Sequence, residues 1–134
     1  TKVLATDISN KVLDIAKKGV YSNEKISVLP SNWRFNYFIK QDNDNSVIID
    51  KIKKEVIFGK LNLMDQVYPF KKKFHVIFCR NVMIYFDTKT KIELVSKFYD
   101  MTEDGGYLFI GHSESLSRKE TKFKYIMPAV YRKE

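Results

Sequence analysis

VLATDISNKVLDIAKKG, residues 3–19, decides the class of the fold. A short apolar run ends in an acid and a serine, and the residues after it place Val12, Leu13 and Ala16 at helical spacing. Ser9 suits the N-cap, where a hydroxyl accepts from an unbonded N–H of the first turn. Gly19 suits the close, where the backbone turns left-handed. A strand, a tight turn and a helix in immediate succession form the repeating unit of α/β proteins.

The remaining segments extend that unit. In residues 26–49, Pro30, Trp33, Phe35, Tyr37 and Phe38 alternate with polar residues, QDNDNS makes a polar turn, and SVIID resumes an apolar run. Alternation about an Asx-rich turn predicts an antiparallel hairpin. Residues 56–58 and the run FHVIFC, residues 74–79, predict two further buried strands. A helix is expected after residue 87, with Ile92, Val95, Phe98 and Tyr99 on one face, Thr88 as its cap and Gly105-Gly106 as its end. YLFIG then predicts a strand, and FKYIMPAVYRK a last pair of short strands broken at Pro128, which belongs at a sheet edge. The expected architecture is a mostly parallel sheet with helices on its faces and a small β excursion inserted between α/β units.

Composition narrows the function classes. At 134 residues the chain has the length of one domain with a real core. Its apolar runs are far shorter than a membrane span, and the first residues lack a charged-then-apolar signal pattern, so neither membrane insertion nor secretion is expected. The single Cys79 allows no internal disulfide and no zinc ribbon, which points to a cytoplasmic setting. A net charge of +8 favours an acidic partner. The lysines are dispersed apart from Lys71-Lys72-Lys73, without any nucleic-acid-binding pattern, so nucleic acid is disfavoured. Acid, His and Cys residues lack metal-ligand spacing, and no metal is expected.

Ligands of open α/β sheets bind beyond the carboxyl ends of the strands. The polar residues gather there: Asp7, Asn62, Arg80-Asn81 and His112-Ser113-Glu114. Asp7 can accept both hydroxyls of a ribose, or simply favour the positive end of a helix. Asn62 and Leu63 suit an adenine edge and ring face, or an ordinary loop Asn beside a core Leu. Arg80, directly after a buried strand, needs acceptors for five donors, whether in a ligand cleft or in a structural salt bridge. Cys79 reads as a small core residue and His75 as a structural one. GHSES has the flavour of a nucleophile elbow, but G-x-S-x-G is not met, since the stretch ends in Ser115 followed by Leu116, which disfavours a serine hydrolase.

ATDIS, VLDIAKKGVYS, VIFGKLNLMD, FHVIFCRNVMIYFD and DGGYLFIGHSESL occur in the order found in the CheR-type chemotaxis receptor methyltransferases, which the chain resembles over almost its whole length. The resemblance implies a Rossmann-like S-adenosylmethionine-dependent methyltransferase fold with an inserted antiparallel β-subdomain at about residues 26–52. It implies a protein-glutamate O-methyltransferase that converts S-adenosyl-L-methionine to S-adenosyl-L-homocysteine and acts on cytoplasmic helices of methyl-accepting chemotaxis receptors. By the same resemblance Asp7 binds the ribose, Asn62 and Leu63 meet the adenine, Arg80 and Asn81 line the methionine side, and Tyr85 matches the active-site tyrosine. Arg80 is a second catalytic candidate, either shaping the pocket or attracting the acidic substrate.

Two departures from the family pattern lead to further expectations. Members that dock a receptor C-terminal pentapeptide carry a longer, glycine-containing hairpin turn, whereas QDNDNS has no glycine, so a pentapeptide-independent member is expected. The family's N-terminal helical domain, first strand and glycine loop have no counterpart in residues 1–134, so a partial catalytic domain, inactive alone, is expected. Its absent first strand belongs between the strands at residues 3–6 and 75–79, predicting rearrangement, strand pairing between molecules or an altered cleft. Two other classes remain: a non-catalytic module of the same fold that binds S-adenosylmethionine or a receptor, and a nicotinamide-dependent oxidoreductase. The latter requires a GxGxxG that the sequence lacks.

Overall fold

The computed structural model describes residues 1–134, which divide into two compact units, Thr1–Asp65 and Gln66–Glu134. In the first, β1 (Val3–Asp7) pairs in parallel with β5 (Val56–Lys60), from Val3 opposite Val56 to Asp7 opposite Lys60. The helix α1 (Asn10–Lys18) packs on both strands through its buried Leu13. Ser9 caps it, accepting from the Val12 N–H at 3.3 Å, and Gly19 closes it at φ 64°, as the sequence pattern predicts. Gly19 is doubly required, since a Cβ there would also lie 2.6 Å from Ile48 Cγ2.

A second, antiparallel sheet joins β2 (Val20–Ser22), β4 (Asn45–Ile48) and β3 (Phe38–Lys40), in the order β2-β4-β3. It therefore draws in residues before position 26. The short helices α2 (Asn23–Ile26), α3 (Ser31–Tyr37) and α4 (Asp50–Lys53) complete the unit. The predicted hairpin is present as β3–β4, but Trp33, Phe35 and Tyr37 lie in α3 and not in a strand. Pro30 starts that helix, its carbonyl accepting from Trp33 at 3.0 Å and Arg34 at 3.1 Å. The aromatic alternation misleads because it marks no buried face: all three rings are exposed, Phe35 to 87%. The polar turn is built on Asp42, whose Oδ1 accepts from the Asp44 and Asn45 N–H groups at 2.8 Å each. Those bonds hold the carboxyl below its usual pKa.

In the second unit, β6 (Phe74–Cys79) pairs in parallel with β7 (Thr102–Ile110). Antiparallel pairing continues through β9 (Val130–Arg132) to β8 (Lys124–Met127), giving the order β6-β7-β9-β8. The terminal strand pair and the break at Pro128 agree with the sequence reading, and β8 is the sheet edge. The helix α5 (Thr88–Met101) buries Leu94, Val95 and Phe98 and packs on β7, whose Leu108 and Ile110 are also fully buried. Each such side chain contributes roughly 1.5–3 kcal/mol.

Both ends of α5 differ from expectation. Asp87 is the N-cap, accepting from Thr90 at 2.8 Å, which depresses its pKa. The helix ends at Met101 and β7 begins at the next residue, with no glycine turn between them. The terminal carbonyls are satisfied otherwise. Thr102 Oγ1 donates to Phe98 O at 2.6 Å, and the buried Lys133 ammonium donates to Tyr99 O at 3.1 Å and Thr102 O at 2.9 Å. Gly105 and Gly106 sit inside β7, where the β6–β7 register shifts and a Cβ on Gly106 would lie 2.8 Å from His75 O.

Instead of one mostly parallel sheet, the strands form three separately hydrogen-bonded sheets in a mixed α/β arrangement. The parallel pairs within it are β1–β5 and β6–β7. Each of β1 and β6 has a strand partner on one side only, and Phe78 of β6 is 70% exposed.

Candidate functional site

Asp7 is the last residue of β1, and its carbonyl accepts from Leu61 N at 3.0 Å, just past the end of β5. Its side chain is half-buried, and Oδ1 accepts from the Ser9 N–H at 2.8 Å. The second carboxylate oxygen keeps its acceptor capacity. Asn62 follows β5 in a turn stapled by its own side chain: Oδ1 accepts from Met64 N at 2.9 Å, which leaves the amide NH2 able to donate. Leu63 is partly buried beside it. One end of this unit therefore offers a carboxylate acceptor, an amide donor and an apolar side chain on adjacent parallel strands. That donor set fits a nucleoside, whose ribose hydroxyls donate and whose base presents ring-nitrogen acceptors.

In the second unit, Arg80 and Asn81 follow β6 while Gly111 to Glu114 follow the neighbouring β7. Asn81 has φ 59°, a left-handed conformation that Asn tolerates better than most residues. Arg80 is exposed and forms no ion pair, so the salt-bridge alternative does not hold within this chain. Its close partner is His112 Nδ1, 3.4 Å from Arg80 Nη2. A guanidinium only donates, so a hydrogen bond here requires the His112 tautomer with Nδ1 unprotonated.

The turn then enters a 3₁₀ segment, Met83–Tyr85. Of the apolar run 82–86, Met83 is buried, whereas Ile84 is exposed and Tyr85 is 81% exposed, with its ring directed away from the core. Cys79 is buried as expected. Burial, with the negative charge of Glu114 adding to it, pushes the thiol pKa up to about 12, far from the range of a nucleophilic cysteine. His75 lies in β6 but is exposed.

Glu114 has the densest connections of any side chain here, although spacing alone assigned it no role. Its carboxylate accepts from three backbone N–H groups: Gly111 at 2.6 Å, Ile84 at 3.1 Å and Asn81 at 3.2 Å. The signal available in the sequence was an acid three residues beyond a glycine at a strand end, which is too common to single out. The loop beyond it is pinned by Tyr131, whose hydroxyl accepts from Leu116 N at 3.0 Å. The structure thus brings Arg80, Asn81, Tyr85, His112 and Glu114 to one end of the second unit, and Asp7, Asn62 and Leu63 to one end of the first. No group of three or more His, Cys, Asp or Glu residues is arranged to hold a metal, and no helix is long and apolar enough to cross a membrane.

Residues 1–131 match the family model described as "CheR methyltransferase, SAM binding domain". The chain is 48% identical over 132 residues to the chemotaxis protein methyltransferase of Borreliella burgdorferi, covering 98% of this chain and 46% of that protein. It is 41% identical to the probable chemotaxis protein methyltransferase of Rhizobium etli, over 87% of this chain and 44% of that protein. The chemotaxis protein methyltransferase of Escherichia coli is 36% identical, over 97% of this chain and 46% of its own length. The chain spans about half the length of these curated relatives. With the family model matched across nearly every residue and strand-end polar groups suited to a nucleoside, the chain belongs to the CheR methyltransferases, in their S-adenosylmethionine-binding domain.

Proposed function

We propose that this chain is the cofactor-binding part of a methyltransferase that esterifies glutamate side chains of chemotaxis receptors, within a Rossmann-like arrangement of its α/β elements. The observation that carries the reading is the pairing of Asp7 and Asn62 at the carboxyl ends of two adjacent parallel strands. One presents an available carboxylate oxygen and the other an available amide. Asp7 holds the ribose hydroxyls, Asn62 and Leu63 hold the adenine, and Arg80 with Asn81 faces the methionine portion. When bound, S-adenosylmethionine supplies an electrophilic methyl group on a sulfonium.

A substrate glutamate, with an ordinary pKa of about 4.3, is already ionised at neutral pH, so no residue of this chain has to act as general base. The tasks left to the protein are orientation and removal of water from the attacking carboxylate. Tyr85, exposed on its 3₁₀ turn, orients that carboxylate by donating to one of its oxygens. Arg80 has no internal carboxylate to neutralise it and attracts the acidic substrate. The net charge of +8 favours the same encounter with glutamate-rich helices.

The turn at Asp42, locked by its own carboxylate, leaves no glycine for close backbone approach. We assign the protein to the members that work without a receptor pentapeptide tether. Transfer of radiolabelled methyl groups to receptor-containing membranes by the full-length protein is the expected result, with the label in base-labile esters. Cofactor binding without transfer would instead establish a non-catalytic module.

A further inference from the structure

We infer that Glu114 is a positioning residue for the reaction, setting the backbone on which Arg80, Asn81 and Tyr85 are presented; this rests on the methyltransferase reading above. The residue is 9% exposed and its carboxylate has no cationic partner. A buried carboxylate without a counter-ion is costly unless hydrogen bonds compensate its charge. Here three main-chain N–H groups do so, and they come from both strand-end loops: Gly111 after β7, and Asn81 and Ile84 after β6. The two β6-side donors bracket Val82 and Met83, with Arg80 directly before the first and Tyr85 directly after the second.

Each donor is aimed at an ionised acceptor, which makes these bonds stronger than neutral ones. Gly111 makes the reach possible. A Cβ at that position would sit 2.8 Å from Glu114 Oε2 and would also collide with Asn81 Oδ1. His112, on the same loop, meets the Arg80 side chain, so one loop controls both the backbone and the guanidinium of the β6 turn. A purely structural clamp would lower stability and nothing else. A clamp that positions reacting groups makes its effect on turnover depend on Tyr85.

The test is a double-mutant cycle in the full-length protein, using Glu114→Gln and Tyr85→Phe, with hydrogen exchange at the Asn81, Ile84 and Gly111 amides measured in parallel. Glutamine keeps the size but offers one oxygen and points donors at donors. The expected result is faster exchange at all three amides and a kcat loss of about 10- to 100-fold, the scale of a displacement near 1 Å. The double variant should lose no more than the worse single variant. Multiplicative losses, an unchanged kcat or unchanged exchange would each overturn the assignment. If Glu114→Gln does not fold, Gly111→Ala enters the cycle in its place under the same criteria. A parent protein that transfers no methyl refutes the proposed function, and the exchange data still decide whether Glu114 holds the turn. An active parent with independent losses refutes only the role given to Glu114.

Discussion

Asn81 carries two separable properties, a left-handed backbone at φ 59° and an exposed amide side chain, and substitution distinguishes them. Glycine adopts that conformation without strain and keeps the N–H that Glu114 accepts. The relief is offset by the greater freedom of the unfolded chain, so Asn81→Gly should stay within about 0.5 kcal/mol of the parent. Alanine retains a Cβ without the local bonding of Asn and should cost about 1 kcal/mol. Valine, branched at Cβ, should cost about 2 kcal/mol. Cofactor affinity should follow a different order. A hydrogen bond from the amide to a charged ligand group is worth roughly 1.5–3 kcal/mol, so all three variants should lose about 10- to 100-fold in Kd. Urea unfolding gives the first series, and calorimetry with S-adenosylhomocysteine on the full-length protein gives the second. Undiminished affinity in Asn81→Gly would remove the amide from the cofactor site, and equal stability of the glycine and valine variants would refute the backbone argument.

Tyr85→Phe in the full-length protein should lower turnover while leaving cofactor affinity within about twofold, because the ring is exposed and supports no core contact; an unchanged rate excludes the hydroxyl from the mechanism. Lys133→Met removes the ammonium of a buried lysine that donates to two carbonyls at the end of α5, and should cost about 2 kcal/mol in urea unfolding, with a loss below about 0.5 kcal/mol refuting the capping role. Cys79 should resist iodoacetamide at pH 8 until urea opens the fold. Since folding raises its pKa from 9.0 to about 12, its contribution to stability is complete below pH 9 and declines as pH rises toward 12, which unfolding series at pH 7 to 11 can follow. An isolated receptor C-terminal pentapeptide should give no calorimetric signal at micromolar concentration; tight binding would overturn the assignment drawn from the Asp42 turn.

The segments legible from sequence were those where local chemistry and burial agree. Ser9 and Gly19 bracket α1 because a cap hydroxyl and a left-handed glycine act within one turn of chain. Pro128 marks the break between β8 and β9 because it has no N–H to give to a strand ladder. Trp33, Phe35 and Tyr37 misled because periodicity implies a strand only when one face is covered, and here neither is. The end of α5 was misplaced for a longer-range reason. Its last carbonyls are met by Thr102 and by Lys133, the latter more than thirty residues away in sequence, and not by a glycine turn. Asp7, Asn62 and Arg80 were visible as candidates because strand ends concentrate polar residues in α/β chains. Glu114 was not, because its value lies in three amides that only folding brings together.

Lys133 also bears on the order of events during synthesis. The strand just before it, β9, lies between β7 and β8, and the lysine itself secures a helix begun at Thr88. While the ribosome still covers residues 130–133, β7 has no partner on that side, β8 has none at all, and the lysine contact to the end of α5 is unmade. The second unit therefore cannot mature from its N-terminal end. A nascent chain stalled before Val130 should expose β7 and β8 to chaperones and proteases, and emergence of residues 130–133 should close the sheet in a single step.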